Sequence, residues 1–444
     1  MNKLRIKDNQ RTNADTFVPI PLLTKQINNK TLKQLEDEGI FVFPEFVSSA
    51  EDISEDEMVL QSINNEISTS NVMGFLGYKN ERLTISSRFT NGSDDFFLQY
   101  MLEKVMDFPN ILDLSIDANR DSQLFNMLFF VFPYYLKRAL QKGIFKTYVR
   151  YQHNDGNVRG AIDVARHVKY NSPFVGKIAY NTRELSLDNN LMELIRHTVE
   201  FIKSKSFGTQ ILSKVKTEVD MVISCTLAYD VAYRTKVIQL NKKRPIRHAY
   251  YKDYRVLQRL CIMILQNDKH QIGAGVKQIH GILFDGAWLW EEYINTLIGD
   301  GFYHPKNKAG KGAQELFTSN NRKKGLIYPD FLSRNANERI IVDTKYKPVG
   351  NIGNKDYLQM LAYMFRFDSK QGMFVYPDTS VVLPESLNVN QGSTYESNVI
   401  GRNKVSVNKV GFQVPTNFNN YDEFKEAVAL SELKLIEYCS VRIK

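Results

Sequence analysis

Asp330, Asp343 and Lys345 have the types and spacing to support metal-assisted phosphodiester hydrolysis. They lie in GLIYPDFLSRNANERIIVDTKYKP, from Gly325 to Pro348. Two β-rich runs, LIYPDFLSR and RIIVDTKYK, flank the polar turn Asn335-Ala336-Asn337-Glu338, whose asparagines tolerate left-handed geometry. Folded as a hairpin centred between Ala336 and Asn337, the segment places Asp330 directly opposite Asp343. Opposed residues have Cβ atoms about 4.5–5.5 Å apart, and like charges there are destabilising. Such a pair calls for a cation between the carboxylates or a proton on one of them. Lys345, two residues beyond Asp343, projects from the same strand face. Asp330 and Asp343 are hard oxygen ligands suited to Mg²⁺, with Mn²⁺ as the alternative; the metal would neutralise phosphate charge and lower the pKa of a water. The lysine could orient that water, help deprotonate it, or stabilise the pentavalent transition state. The bare spacing recurs by chance; the hairpin register gives it weight.

The flanking elements must hold these residues in place. Downstream, KDYLQMLAYMFRF predicts a helix with Gln359 and Tyr363 four residues apart on one face, and both join the candidate catalytic set. Upstream, LWEEYINTLIG is an apolar helix carrying Glu291 and Glu292; either could reach the metal, and Glu291 is taken as the candidate third ligand. Pro377-Asp378 has no matching acid-x-Lys strand and reads as a turn. Glu432-Leu433-Lys434 reads as a solvated helical face. Cys225, Cys261 and Cys439 form no metal spacing or disulfide framework.

The chain of 444 residues carries a net charge of +9, compatible with a nucleic-acid partner. Just before the acidic motif, Lys306, Lys308, Lys311, Arg322, Lys323 and Lys324 are opposed only by Glu315; taken alone they read as a solvated loop, and their position before the motif favours a phosphate-contacting one. No apolar run approaches the roughly 20 residues that span a bilayer, and the polar N-terminus has no signal-peptide core, so a cytoplasmic location with no membrane role is expected. The length suggests several domains. Residues 1–120 read as an α+β region with a β-hairpin at Lys79-Asn80, 121–275 as mostly helical, and 276–444 as an α/β domain with a mixed sheet flanked by helices. The whole is thus multidomain α/β.

Asp330, Asp343-Thr344-Lys345, the Gln359 and Tyr363 pair and the Glu291-Glu292 helix together resemble the PD-(D/E)xK nuclease superfamily. More narrowly, VRGAIDVARHV (Val158 to Val168), RELSLDNNLMELI (Arg183 to Ile195) and SSRFTNGSDDFFLQYMLEKV (Ser86 to Val105) resemble McrC and LlaJI-type restriction subunits. The resemblance implies a PD-(D/E)xK fold for 276–444 and a Mg²⁺-dependent endodeoxyribonuclease subunit of a bacterial McrBC-like system. It further implies a separate AAA+ NTPase partner, using GTP or ATP, whose hydrolysis the subunit stimulates. The N-terminal hairpin is then the candidate partner contact, through Lys79, Asn80, Arg82 and Arg88. The chain has no GxxxxGK[ST] of its own, which agrees with a motor supplied by another protein and equally with a plain nuclease. Cutting both strands calls for two active sites, so a homodimer through the nuclease or middle zone is expected. Arg159, Asp163, Glu184 and Asp188 are read first as capping and loop-fixing residues, with contact to DNA or the partner as the alternative. Two other readings stay open: a stand-alone nuclease without a motor, and a non-catalytic activator of the NTPase.

Overall fold

The computed structural model describes residues 2–38, 40–43, 56–90, 95–106, 120–205, 208–266, 279–305, 312–319, 322–335, 338–392, 399–418 and 420–443. The chain folds as two compact units, residues 1–112 with 273–444, and residues 113–272. The sequence reading separated 1–120 from 276–444, but strand pairing joins them. His280–Asp285 runs antiparallel to Val72–Tyr78 on one side and parallel to Phe41–Phe43 on the other. With Asn2–Lys7 and Glu81–Ser86 these strands make one five-stranded sheet. That pairing spans some two hundred residues of chain, so no local pattern announces it. Ile20, Leu23, Leu76, Leu83 and Leu283 are fully buried in its core.

The hairpin Val72–Tyr78 to Glu81–Ser86 turns at Lys79-Asn80, with Tyr78 facing Glu81 and Lys79 at φ +53°. Both turn residues are exposed.

A second, six-stranded sheet runs in the order Phe302–Tyr303, Phe331–Ser333, Ile340–Thr344, Gln371–Asp378, Ile400–Gln413, Glu385–Gln391. Its three central strands are parallel and its outer pairings antiparallel, the expected mixed sheet. The helix Asn354–Arg366 crosses between the parallel strands Ile340–Thr344 and Gln371–Asp378, as such a connection requires. It starts where the Asp356 carboxylate accepts the Gly353 N–H at 2.9 Å. Its buried Met360, Tyr363 and Met364 follow the three- and four-residue period and pack with Ile341, Phe374 and Val407. The strand Ile340–Thr344 is buried up to Asp343, which is why its sequence reads as a continuous apolar run.

The stretch expected as a basic loop is instead partly a two-stranded hairpin, Gln314–Ser319 with Arg322–Ile327. Lys324 is exposed on it, and Arg322 and Lys323 belong to the same strand. Lys306, Lys308 and Lys311 lie outside the described residues.

In the second unit the predicted helices form at Asn190–Lys203 and Lys252–Gln266, but a three-stranded sheet accompanies them. Thr147–Asp155 pairs with Ile178–Ser186, which also pairs with Ala161–Ile162. Asp163 caps the helix Val164–Tyr170, and Asp188 accepts the Ala228 N–H at 2.8 Å. Gly160 lies so close to the Asn181 carbonyl that an added Cβ would sit 2.1 Å from its oxygen. Asp163 and Asp188 thus serve local geometry. Among the described residues no helix is long and apolar enough to cross a membrane.

Candidate active site

Phe331 faces Val342 and Leu332 faces Ile341. Asp330 immediately precedes the first of these strands and Asp343 follows Val342 on the second, so continuing the register by one step would set the two aspartates opposite each other. The turn at 336–337 lies outside the described residues, but the strands it joins have the predicted alignment. Asp343 is 2% exposed. A carboxylate so placed needs a counter-charge, and Lys345 Nζ supplies it at 2.7 Å from Oδ2. Asp330 is half-buried and differently held. Its Oδ2 accepts the Thr344 N–H at 2.7 Å and the Thr344 hydroxyl at 2.8 Å.

Lys345 is the hub. Burial works against its charge, but Asp343 and Asp330 outweigh that cost and hold its pKa above the ordinary lysine value. The same Nζ donates to Gln359 Oε1 at 3.3 Å and lies 3.8 Å from Asp356. Gln359 Nε2 donates to the Tyr363 hydroxyl at 2.6 Å, which donates to the Tyr328 carbonyl at 3.0 Å. One turn of helix therefore connects the lysine to the residue two before Asp330.

Glu291 sits on the helix Gly286–Ile298, which Trp290 ties to the sheet by donating to the Val375 carbonyl at 3.2 Å. Glu291 lies 3.8 Å from His304 Nε2, and Glu292 3.4 Å from it. His304 Nδ1 meets the Asp330 carbonyl at 2.9 Å, and its ring stacks on Phe331. Burial lowers the His304 pKa, but Glu292 and the Asp330 carbonyl reverse this, leaving it above the usual imidazole value. Glu291 thus approaches the site through His304. Among the described residues no group of three His, Cys, Asp or Glu side chains is placed to hold a metal. Asp330 and Asp343 still fit Mg²⁺, which keeps several waters and takes one or two carboxylates together with substrate phosphate.

A family model described as "McrBC 5-methylcytosine restriction system component" matches residues 67–377. The chain belongs to that McrBC family. The matched span includes every residue of the Asp330, Asp343, Lys345, Gln359 and Tyr363 cluster. Two solved structures from Thermococcus gammatolerans are similar. One is a refined half-complex from a tetradecameric assembly of McrB AAA+ hexamers with bound McrC: TM-score 0.46, 15% identity, covering 96% of this chain and 99% of that one. The other is the McrBC complex solved by cryo-EM: TM-score 0.31, 17% identity, covering 67% of this chain and 87% of that one. No curated protein matches the sequence.

In this McrBC family member two groups near the centre escaped the sequence reading. Asp356 ties Lys347 at 2.7 Å and stands beside Lys345. His304 bridges the Glu291-Glu292 helix to Asp330. An acid three residues before Gln359 on the same helix face was the available signal for the first; the second had none. Arg88, grouped with the partner contacts, is not at the hairpin tip. Its guanidinium is 10% exposed and ion-paired with the fully buried Asp8. Arg82 is half-buried on the strand, which leaves Lys79 and Asn80 as the exposed part of that set.

Proposed function

We propose that this chain is the nuclease subunit of an McrBC-type restriction system, cutting double-stranded DNA with Mg²⁺. The observation that carries this reading is the convergence of Asp330, Asp343 and Lys345 at the edge of a buried strand, with Gln359 and Tyr363 bracing the lysine. Asp330 and Asp343 would hold Mg²⁺, which would supply neutralisation of phosphate charge and acidification of a water. Asp343, buried and preformed, holds its carboxylate without reorganisation. Asp330, fixed by two Thr344 donors, presents its side chain from the facing strand. Lys345, kept charged by both, offers a cation to the scissile phosphate once substrate charge competes for it. Gln359 limits its swing. Lys324, exposed on its strand, offers a phosphate contact.

Family membership supports a separate AAA+ NTPase as partner, engaged through the exposed Lys79-Asn80 turn and stimulated on binding. Two copies of the chain would provide the two cuts of a double-strand break. A purely non-catalytic activator has no use for a buried aspartate paired with lysine, which would otherwise be a cost.

Asp343→Ala is expected to abolish Mg²⁺-dependent cleavage of plasmid DNA while leaving NTPase stimulation intact. Continued cutting would overturn the site. The parent alone should cut poorly and be rescued by the AAA+ protein with its nucleotide; efficient cutting alone would favour a motor-free nuclease.

A further inference from the structure

Tyr346 follows Lys345 directly and points into a closed socket. It is 5% exposed. Its hydroxyl lies 2.8 Å from Ser87 Oγ and 3.3 Å from Met73 Sδ. The Arg88 guanidinium covers its ring, with Cζ 4.9 Å from the centroid, and the Phe89 ring meets it edge-on at 5.2 Å. Gly286, first residue of the helix bearing Glu291, closes the far side. A Cβ there would stand 2.8 Å from Tyr346 Cε1. Met73, Ser87, Arg88 and Phe89 all stand more than 250 residues earlier in the chain.

The socket is itself fixed. Asp8 accepts Arg88 Nε at 2.9 Å, Nη2 at 2.5 Å and the Arg88 backbone N–H at 2.6 Å. Arg88 Nη2 also donates to Asn71 Oδ1. A leucine is smaller and has neither the hydroxyl that meets Ser87 nor the ring face that Arg88 covers. The ring is held against rotation at its hydroxyl and across its face, and the backbone of residues 345–347 is held with it. On the other side the Lys345 N–H donates to the Val375 carbonyl at 2.9 Å. The Cα from which the long, flexible lysine side chain departs is therefore clamped from both sides.

We propose that Tyr346 is a positioning residue for Lys345, seated in a socket that the N-terminal part of the chain builds from Ser87, Arg88 and Asp8. The residues flanking the hairpin are on this account a working part of the nuclease centre. The inference rests on the nuclease reading above and deepens it. A lysine displaced by about an ångström loses about 10²-fold in rate, because the group must meet the phosphate at one point.

The test uses the full chain with plasmid DNA and Mg²⁺, plus the AAA+ partner where the parent requires it. Tyr346→Leu is expected to lower the single-turnover rate about 10²-fold and Gly286→Ala about tenfold, with DNA affinity near the parent's. Tyr346→Phe, which keeps the ring under Arg88, restores most of the rate. A second readout needs no cleavage: acetylation of Lys345, followed by peptide mass spectrometry, is slow in the parent and faster in Tyr346→Leu and Gly286→Ala. Parental rate and parental acetylation in Tyr346→Leu overturn the proposal, and Gly286→Ala decides in the same way if the leucine variant does not fold. A loss confined to DNA affinity also overturns it. Cutting by Asp343→Ala would overturn the nuclease reading instead; an inert Asp343→Ala beside a parental Tyr346→Leu sinks only the positioning role.

Discussion

Lys345 and Asp343 form a pair whose members depend on each other, because neither is open to water enough to stand alone. Lys345→Ala leaves the Asp343 carboxylate buried without its cation. A destabilisation of about 3 kcal/mol is expected, read from urea unfolding, and Asp343→Asn in the same chain should recover most of it. A stability unchanged by Lys345→Ala would mean that water reaches Asp343. The carboxylate register was legible in sequence because hairpin geometry turns spacing into contact: 330 and 343 are equidistant from a turn marked by two asparagines. The Gln359 and Tyr363 pair was legible for the same reason on a helix. His304 was not, because nothing local brings residue 304 to the carbonyl of 330.

His197 is a second residue with a measurable consequence. It is 4% exposed, packed on the Tyr229 ring, and its pKa is pushed down to about 4 by burial first and then by Arg234. The folded chain therefore binds this proton less readily than the unfolded chain, whose histidine titrates near 6.5. The stability it contributes is fully present above about pH 6.5 and is lost as pH falls towards 4. The melting temperature of the parent should decline across that window, and His197→Gln should flatten the decline. An unchanged slope would assign the acid sensitivity elsewhere.

Among the elements, the C-terminal helix Tyr421–Ile443 departs most from its sequence. Glu432 reads as one charge of a solvated face, yet it is 8% exposed and accepts the Tyr100 hydroxyl at 2.9 Å and the Tyr293 hydroxyl at 2.8 Å. Those tyrosines stand on the helices Phe96–Met106 and Gly286–Ile298, so one carboxylate fastens three helices. Tyr421 adds a bond of 2.6 Å to Glu103. An amphipathic pattern registers only where apolar residues fall, so a buried polar fastening looks like surface. Glu432→Ala strands two buried hydroxyls and is expected to cost about 2–4 kcal/mol in chemical denaturation. Tyr100→Phe with Tyr293→Phe should cost less alone and cancel part of the loss when combined with a Glu432→Leu change. Additive losses would show that the carboxylate does not join the helices.

At the scale of the whole molecule, the strands and helices of residues 1–112 and 273–444 belong to one unit and residues 113–272 to another. Sequence patterning located most of these elements because periodicity is local. It drew the boundaries as three consecutive zones because the strand His280–Asp285 pairs with residues 41–43 and 72–78, a relation that leaves no periodic trace. A fragment of residues 276–444 would carry one strand of the five-stranded sheet and an open Tyr346 socket. It is expected to be insoluble, whereas residues 1–112 joined to 273–444 by a short Gly-Ser linker should melt cooperatively by calorimetry. A soluble, cooperatively folded 276–444 fragment would show that the first sheet is dispensable.

The same connectivity sets a timetable at the ribosome. Val72–Tyr78 and Phe41–Phe43 emerge early, but the strand that lies between them follows about two hundred residues later. At about 5–20 residues per second, that interval is on the order of ten to forty seconds. During it the nascent chain displays two unsatisfied strand edges, open to pairing with a neighbour on the same message. The intervening unit can fold meanwhile, and the Tyr346 socket closes only when nearly four-fifths of the chain has been made. Yield of active protein should thus depend on elongation speed and on chaperones that shield strand edges.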